Sequence, residues 1–262
     1  MTAVRIFLAA MLAIACGGSV SAQGQRVALP GVTLATVDRA GDFYAITGNA
    51  IYKFDSLGHR LDSVAVAAPV TLFDPGNGVR LLAYSRDKQE YVIYAPNLEE
   101  RQRLPIDQSF AITPWLVCSS GDYDLVILDS ADWSVKKVDI RRSVVTAEFI
   151  LDPNLTANAD FMSMREYLGF LFIHDRNNGI HVFNRLGMKL RTFAAQGASS
   201  INFWGEELYY YSEGKLHFTN LYTLETRTLP VDWPGRSIVL GTGTAMVVTE
   251  KGLEFHPLAK TF

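Results

Sequence analysis

Short runs of alternating apolar and polar residues, separated by turns, recur along most of the chain. In six places a turn, an alternating strand, a second turn and a more polar strand follow one another. These segments are AIYKFDSLGHRLDSV (50–64), YVIYAPNLEERQRL (91–104), WSVKKVDIRRSVVTAEF (133–149), GIHVFNRLGMKLRTF (179–193), KLHFTNLYTLETRTL (215–229) and GLEFHPLAKTF (252–262). They begin 36 to 46 residues apart, which is the spacing of four-stranded β-propeller blades.

Two more apolar strands precede each of these segments. The nearer strand is exemplified by DFYAITGN (42–49) and the farther one by VTLATVD (32–38). The joints carry Gly, Asn and Asp, as at Asn178-Gly179, which favours tight hairpins. We therefore predict an all-β fold, a six-bladed β-propeller with four-stranded blades, formed by residues 23–262 as a single domain. A seven-bladed ring and a β-sandwich are the alternatives; the sandwich fits less well because its strands do not repeat at nearly fixed spacing.

The two ends of the predicted ring complement each other. The sixth repeat stops at Phe262 after its third strand, and QRVALP (25–30) belongs to no other blade. We predict that 25–30 pairs with 252–260 and closes the ring, because an open ring would expose an unpaired strand edge. Only residues 152–167 resemble a helix, through an Asn/Asp-rich start and the spacing of Met162 and Glu166, and a loop insertion is favoured there because helical periodicity is not sustained.

The N-terminus resembles an export signal. Arg5 precedes an apolar run, Ile6 to Ala15, which is too short to span a bilayer. Val20 and Ala22 fit a signal-peptidase cut before Gln23, so residues 1–22 would be removed. Alternatively, residues 13–16 resemble a lipobox, in which case the signal ends before Cys16 and that residue is lipidated. We expect an exported protein of the periplasm or outer-membrane region, with no membrane span after signal removal.

The charge balance and the cysteine content limit which binding partners and which disulfide bonds are possible. The chain has 24 basic and 27 acidic residues, a net charge of −3, and no block of like charges able to neutralise a phosphate backbone. We therefore expect no nucleic-acid partner. If Cys16 leaves with the signal, Cys118 has no disulfide partner, and its apolar surroundings indicate a core position.

Recognisable catalytic motifs are absent. The sequence has no G-x-S-x-G elbow, glycine-rich phosphate loop, H-E-x-x-H or Cys-x-x-Cys, and its five histidines are scattered over different strands. Residues 175–179 match the opening of a calcium loop but lack its closing Glu, so a hairpin turn is the better interpretation. We predict no catalytic residue, no metal and no cofactor.

The loops that join second to third strands, and outer strands to the next blade, form one face of a propeller. On this face we predict a binding rim of mixed charges and aromatic rings, because exposed aromatics anchor interfaces. The alternative for the two tryptophans is that they fill gaps between blades. The candidate rim residues are Asp87, Lys88, Asp132, Trp133, Asp175, Arg176, Asn177, Asp232 and Trp233.

The segments IYKFDSLGHRL, YVIYAPNLEE, GIHVFNRLGMKLRTF and TEKGLEF resemble the blades of exported six-bladed propellers of Bacteroidetes, related in style to NHL and TolB-like repeats. The resemblance implies a propeller and an envelope location, and it transfers no functional residue. We predict a non-catalytic scaffold that binds an envelope protein or peptide segment through the loop face or channel mouth and is a monomer outside its complex. A metal-dependent hydrolase or lyase with channel carboxylates, and a glycan or small-ligand binder, are the alternatives.

Overall fold

The structure is a computed structural model that describes residues 24–76, 78–195 and 197–258. The predicted signal peptide (1–22) and the lipidation site Cys16 lie outside the described residues. In chain order, the elements are β1 (Gln25–Ala28), β2 (Leu34–Val37), β3 (Phe43–Ile46), β4 (Ala50–Phe54), β5 (Arg60–Ala65), β6 (Leu72–Asp74), β7 (Leu81–Ser85), β8 (Glu90–Tyr94), β9 (Glu100–Pro105), β10 (Pro114–Ser120), β11 (Asp124–Asp129), β12 (Ser134–Asp139), β13 (Val144–Ile150), α1 (Pro153–Thr156), β14 (Phe161–Tyr167), β15 (Phe170–Asp175), β16 (Gly179–Phe183), β17 (Lys189–Phe193), β18 (Ile201–Trp204), β19 (Glu207–Ser212), β20 (Lys215–Asn220), β21 (Thr226–Pro230), β22 (Ser237–Gly241), β23 (Thr244–Val248) and β24 (Gly252–Pro257).

The strands form six antiparallel four-stranded sheets, as predicted. Blades 1 to 5 are β2–β5, β6–β9, β10–β13, β14–β17 and β18–β21. Blade 6 has the order β22-β23-β24-β1, so its outer strand comes from the other end of the chain. Val27 lies opposite Leu253, and Gln25 opposite Phe255. The predicted closure of the ring is therefore confirmed.

The core lies between blades, which explains why the second strand of a blade is apolar throughout. All four residues of β3 are buried. Phe43 packs with Phe255 toward blade 6, whereas Tyr44 packs with Phe73 toward blade 2. Successive side chains of a strand point to opposite faces, and here both faces meet a neighbouring sheet. The outer strands instead alternate or are exposed, as in β13.

Buried aspartates fasten the crossover loops to the blades. Asp129, at the end of β11, accepts hydrogen bonds from the backbone N–H groups of Ile112, Thr113 and Ala131 at 2.8, 2.9 and 3.0 Å. Asp175, at the end of β15, likewise accepts from the N–H of Asp160 in the preceding crossover and from the N–H of Asn177 in its own turn. A single carboxylate thus satisfies backbone donors that would otherwise be left without partners on entry to the next blade.

The segment 175–179 is a hairpin turn, as the sequence indicated. It joins β15 to β16, and Gly179 has a φ of +100°. A Cβ atom added at Gly179 would lie 2.3 Å from the carbonyl oxygen of Phe193, so only glycine fits the position.

Only one short turn of residues 152–167 is helical, although the spacing of Met162 and Glu166 would permit a longer helix. The helix α1 is a single turn capped by Asp152, whose side chain accepts from the N–H of Asn154. Both Met162 and Glu166 lie in β14, because this segment supplies the inner strand of blade 4. In the part of the chain that the structure describes, no helix is long and apolar enough to cross a membrane.

Candidate binding site at the channel mouth

Two cavities occupy the central channel, one at each end. The larger, of about 1180 Å³, opens on the face formed by the loops that join first to second and third to fourth strands; we call this the mouth face. The smaller, of about 200 Å³, opens on the opposite face, where chain crossovers and second-to-third-strand loops lie; we call this the crossover face. The channel therefore offers far more room to a ligand at the mouth face.

An ion pair between non-adjacent blades separates the two cavities. Arg165 of β14 approaches Asp74 of β6, with Nε 3.8 Å from Oδ1, and both residues line both cavities. Asp74 also accepts hydrogen bonds from the N–H of Gly76 at 3.0 Å and of Ser119 at 3.1 Å. This contact ties blades 2, 3 and 4 together and limits how deeply a ligand can enter.

Two further carboxylates of the large cavity, Asp38 and Glu166, also have donors supplied by the protein; Glu166 accepts from the hydroxyl of Ser120 at 2.6 Å. Asp38 is buried and accepts from the N–H groups of Ala40 and Asp42 and from the hydroxyl of Tyr44, all at 2.9 to 3.0 Å. Burial and the neighbouring carboxylate raise the pKa of Tyr44, so its hydroxyl stays protonated as the donor. Much of the acceptor capacity of these acidic groups is therefore already used.

Three arginines of the same cavity have no such partners. Within the described residues, no hydrogen bond or ion pair joins Arg39, Arg80 or Arg185 to another group. Nη1 and Nη2 of Arg80 are buried, and this burial lowers its pKa. Arg39 and Arg185 are exposed at the rim. The exposed Asp122 is the one carboxylate of this lining that makes no hydrogen bond or ion pair among the described residues. Three unpaired arginines therefore face one unpaired carboxylate, so the cavity complements a ligand that carries acceptor oxygens.

Exposed apolar side chains lie on the mouth face, and three of them, Val79, Tyr123 and Leu168, line the large cavity. Leu186 is 89% exposed, Val79 67% and Leu57 64%. The other large apolar side chains that are exposed in loops of this face are Tyr123, Leu168, Met188, Tyr222 and Leu224. On the crossover face the comparable exposed residues are Ile112 and Ile150. A patch of exposed apolar groups rimming a polar centre is characteristic of a protein-binding surface.

The nine residues predicted from the sequence all lie on the crossover face, and none of them lines either channel cavity. Asp87 and Lys88 are exposed in a turn, and Asp232 is exposed in the crossover between β21 and β22. Asp132 accepts from the N–H and hydroxyl of Ser134. Their part in binding stays a prediction.

The turn at the start of β16 holds three more of these residues in local contacts. Asp175 is fully buried and accepts from the N–H of Asn177, whereas Arg176 pairs with Asp160 at 3.0 Å. The side chain of Asn177 donates to the carbonyl of Asn158. These contacts connect the turn to the preceding crossover, which gives the residues a structural role.

The two tryptophans are half-buried. Trp133 has a φ of +57° and meets the ring of Phe161 edge-on, with centroids 5.7 Å apart. Trp233 stacks on His256 at 5.1 Å. Both therefore pack on the protein with one part of the ring and remain reachable with the other.

The arginines of the mouth were missed because each is separated from the others by tens of residues. A weak signal existed, since Arg39 and Arg165 each stand at or just after the end of an inner strand. Inner strands run in the same direction around a propeller, so their ends converge on one face.

Several solved protein structures have a similar architecture. The fold is that of a β-propeller. The chain is similar to streptogramin B lyase, with a TM-score of 0.60 and 11% identity over 89% of this chain and 96% of that chain. It is also similar to the Neurospora crassa Pan2 WD40 domain (TM-score 0.56, 8% identity, 86% and 88% covered) and to BBS1N in complex with ARL6DN (0.52, 15%, 89% and 79%).

These similarities establish the fold alone, because at such low identity a fold hosts unrelated functions. No protein-family model matches the chain, and no curated protein is similar to it in sequence. In the described ranges, no three His, Cys, Asp or Glu side chains are placed so that they could hold a metal ion.

Proposed function

We propose that this chain is a scaffold of the cell envelope that binds a protein partner through the mouth face. The observation that carries the proposal is the set of exposed apolar side chains on the mouth face, beside a cavity in which Arg39, Arg80 and Arg185 make no hydrogen bond or ion pair in the described part of the chain. Apolar contacts at the rim would supply binding energy, and the arginines would select an acidic segment of the partner.

The excess of donors defines the partner's chemistry. An isolated buried guanidinium is costly, and a carboxylate that pairs with it removes this cost. A Glu or Asp side chain, or a chain-terminal carboxylate, would pair with Arg39 or Arg185 at the rim of the cavity. Arg80 would engage directly only after a small movement, because its terminal nitrogens are covered in this conformation. Because the rim is exposed to solvent, added salt should weaken this selection.

The proposal is tested by capture after crosslinking in envelope extracts of the source cells. The double variant Leu57→Ser/Val79→Ser removes apolar side chains that are 64% and 67% exposed on the mouth face. The control Ile112→Ser/Ile150→Ser removes two that are each 70% exposed on the crossover face. We expect the protein captured by the wild type to be retained by the control and reduced at least tenfold by the mouth-face variant.

A second pair of variants tests the role of the arginines at the rim. Arg39→Ser/Arg185→Ser should weaken capture strongly, whereas Arg101→Ser, at an exposed arginine that pairs only with Glu99, should not. Loss of capture in the crossover-face control together with full capture by the mouth-face variants would refute the proposal and would favour the rim of Trp133 and its neighbours instead.

A further inference from the structure

A separate apolar groove lies between blades 3 and 4, next to the channel mouth. It has a volume of about 230 Å³, with walls that are mainly apolar side chains of both blades and with Lys137, Glu148 and Asn184 also in its lining. Its walls are Val126, Val135, Ala147, Phe149, Leu171 and Leu186. The space is sufficient for one large apolar side chain.

The walls of this groove are held in place by close packing. The rings of Phe149 and Phe183 lie 5.4 Å apart. The turn that carries Leu186 presses against Phe149, since a Cβ added at Gly187 would lie 2.3 Å from that ring. Leu186 itself is 89% exposed, so its side chain borders an apolar site that is open to solvent. A preformed apolar site of this kind binds without the cost of ordering its own walls.

The groove and the large channel cavity adjoin each other. Glu166, Gly169 and Arg185 line both. Arg185 extends over Gly169, where an added Cβ would lie 3.1 Å from its Nε, so its guanidinium stands at the junction. A single extended segment of a partner can therefore contact the arginines and the groove at the same time.

We propose that the groove receives an aliphatic or aromatic side chain from the same partner segment whose acidic group is held at the mouth. This inference rests on the proposed function and makes it more specific: the recognised feature is an acidic residue at a constant distance from a large apolar one. The position of Arg185 in the lining of both cavities and the charge of the mouth select this occupant over a free apolar molecule, which would gain nothing from the arginines.

The test uses a phage library of random dodecapeptides, selected on the folded protein. Ala147→Trp fills the groove from an exposed position of β13, and Ala65→Trp is the matched control at an exposed position of β5 in blade 1. Peptides selected on the wild type should share an acidic residue and a large apolar residue at one spacing. In fluorescence anisotropy these peptides should bind Ala147→Trp at least tenfold more weakly and Ala65→Trp unchanged.

Selection on the variants separates the two parts of the site. Ala147→Trp should still enrich acidic peptides but without a fixed apolar position, whereas Arg39→Ser/Arg185→Ser should lose the acidic preference. Peptides that lack a fixed apolar position on the wild type, or that bind both tryptophan variants equally, would overturn the inference. Capture of a partner that depends on Leu57 and Val79 would stand in that case, so the proposed function would survive it.

Discussion

Protonation of His174 should destabilise the folded protein as the pH falls from about 6.5 toward 4. His174 lies in β15 and is fully buried. Within the described residues, neither of its ring nitrogens has a hydrogen-bond partner. Phe172, on the same face of the strand, packs in the cluster between blades 4 and 5. The imidazolium form would therefore have to be buried in an apolar interface.

The size of the effect follows from the pKa of this group. Burial lowers the pKa of His174 from 6.5 to about 4; Asp175 and Asp160 oppose this change and Arg176 adds to it. Between pH 6.5 and pH 4, this histidine is therefore protonated in the unfolded chain and neutral in the folded chain. The contribution of the neutral imidazole to the free energy of unfolding is fully present above pH 6.5. It decreases by about 1.4 kcal/mol per pH unit between pH 6.5 and pH 4. The loss is about 2 kcal/mol at pH 5 and about 3 kcal/mol at pH 4.

The measurement compares urea unfolding of the wild type and His174→Leu between pH 7 and pH 4.5. Leucine suits an apolar site in which the ring makes no hydrogen bond. His181 is a second buried histidine with a lowered pKa, caused chiefly by burial, and it is present in both proteins. The difference between the two free energies of unfolding therefore isolates His174.

We expect this difference to shift by about 2 kcal/mol in favour of His174→Leu on going from pH 7 to pH 5. A difference that stays constant over that range would show that His174 protonates without cost. The assignment of a dry, unpaired imidazole between blades 4 and 5 would then be wrong.

Three further predictions concern the blades themselves. Asp129→Ala leaves three backbone N–H groups without their acceptor and should lower the free energy of unfolding in urea by about 2–4 kcal/mol; a loss below 0.5 kcal/mol would contradict this. Val27→Pro removes a ladder donor facing β24 and should cost about 1–3 kcal/mol in a thermal melt, whereas Ala28→Pro, whose N–H faces away, should cost much less; equal losses would argue against the closing strand. Cys118 is fully buried, which raises the pKa of its thiol, so a chromogenic disulfide reagent should label it only under unfolding conditions, and rapid labelling of the native protein would refute its core position.

Local patterns were sufficient to predict the architecture. The number of blades and the succession of four strands follow from short-range alternation and regular spacing, since blades 1 to 5 are each built from consecutive residues. The strand exchange was predictable because QRVALP (25–30) had no other place and the sixth repeat lacked one strand. Turn chemistry at Asn178-Gly179 likewise acts over a few residues.

The binding surface was decided by tertiary structure. Arg39, Arg80 and Arg185 are far apart in the chain and line one cavity only because the ring brings inner-strand ends and neighbouring turns to one face. Their lack of partners depends on Asp38 and Asp74 being occupied by backbone donors, which no sequence pattern reveals. Sequence alone determined which residues form each sheet, because strand pairing within a blade is local. Closure of the ring determined which charges remain available, because it sets distances between residues of different blades.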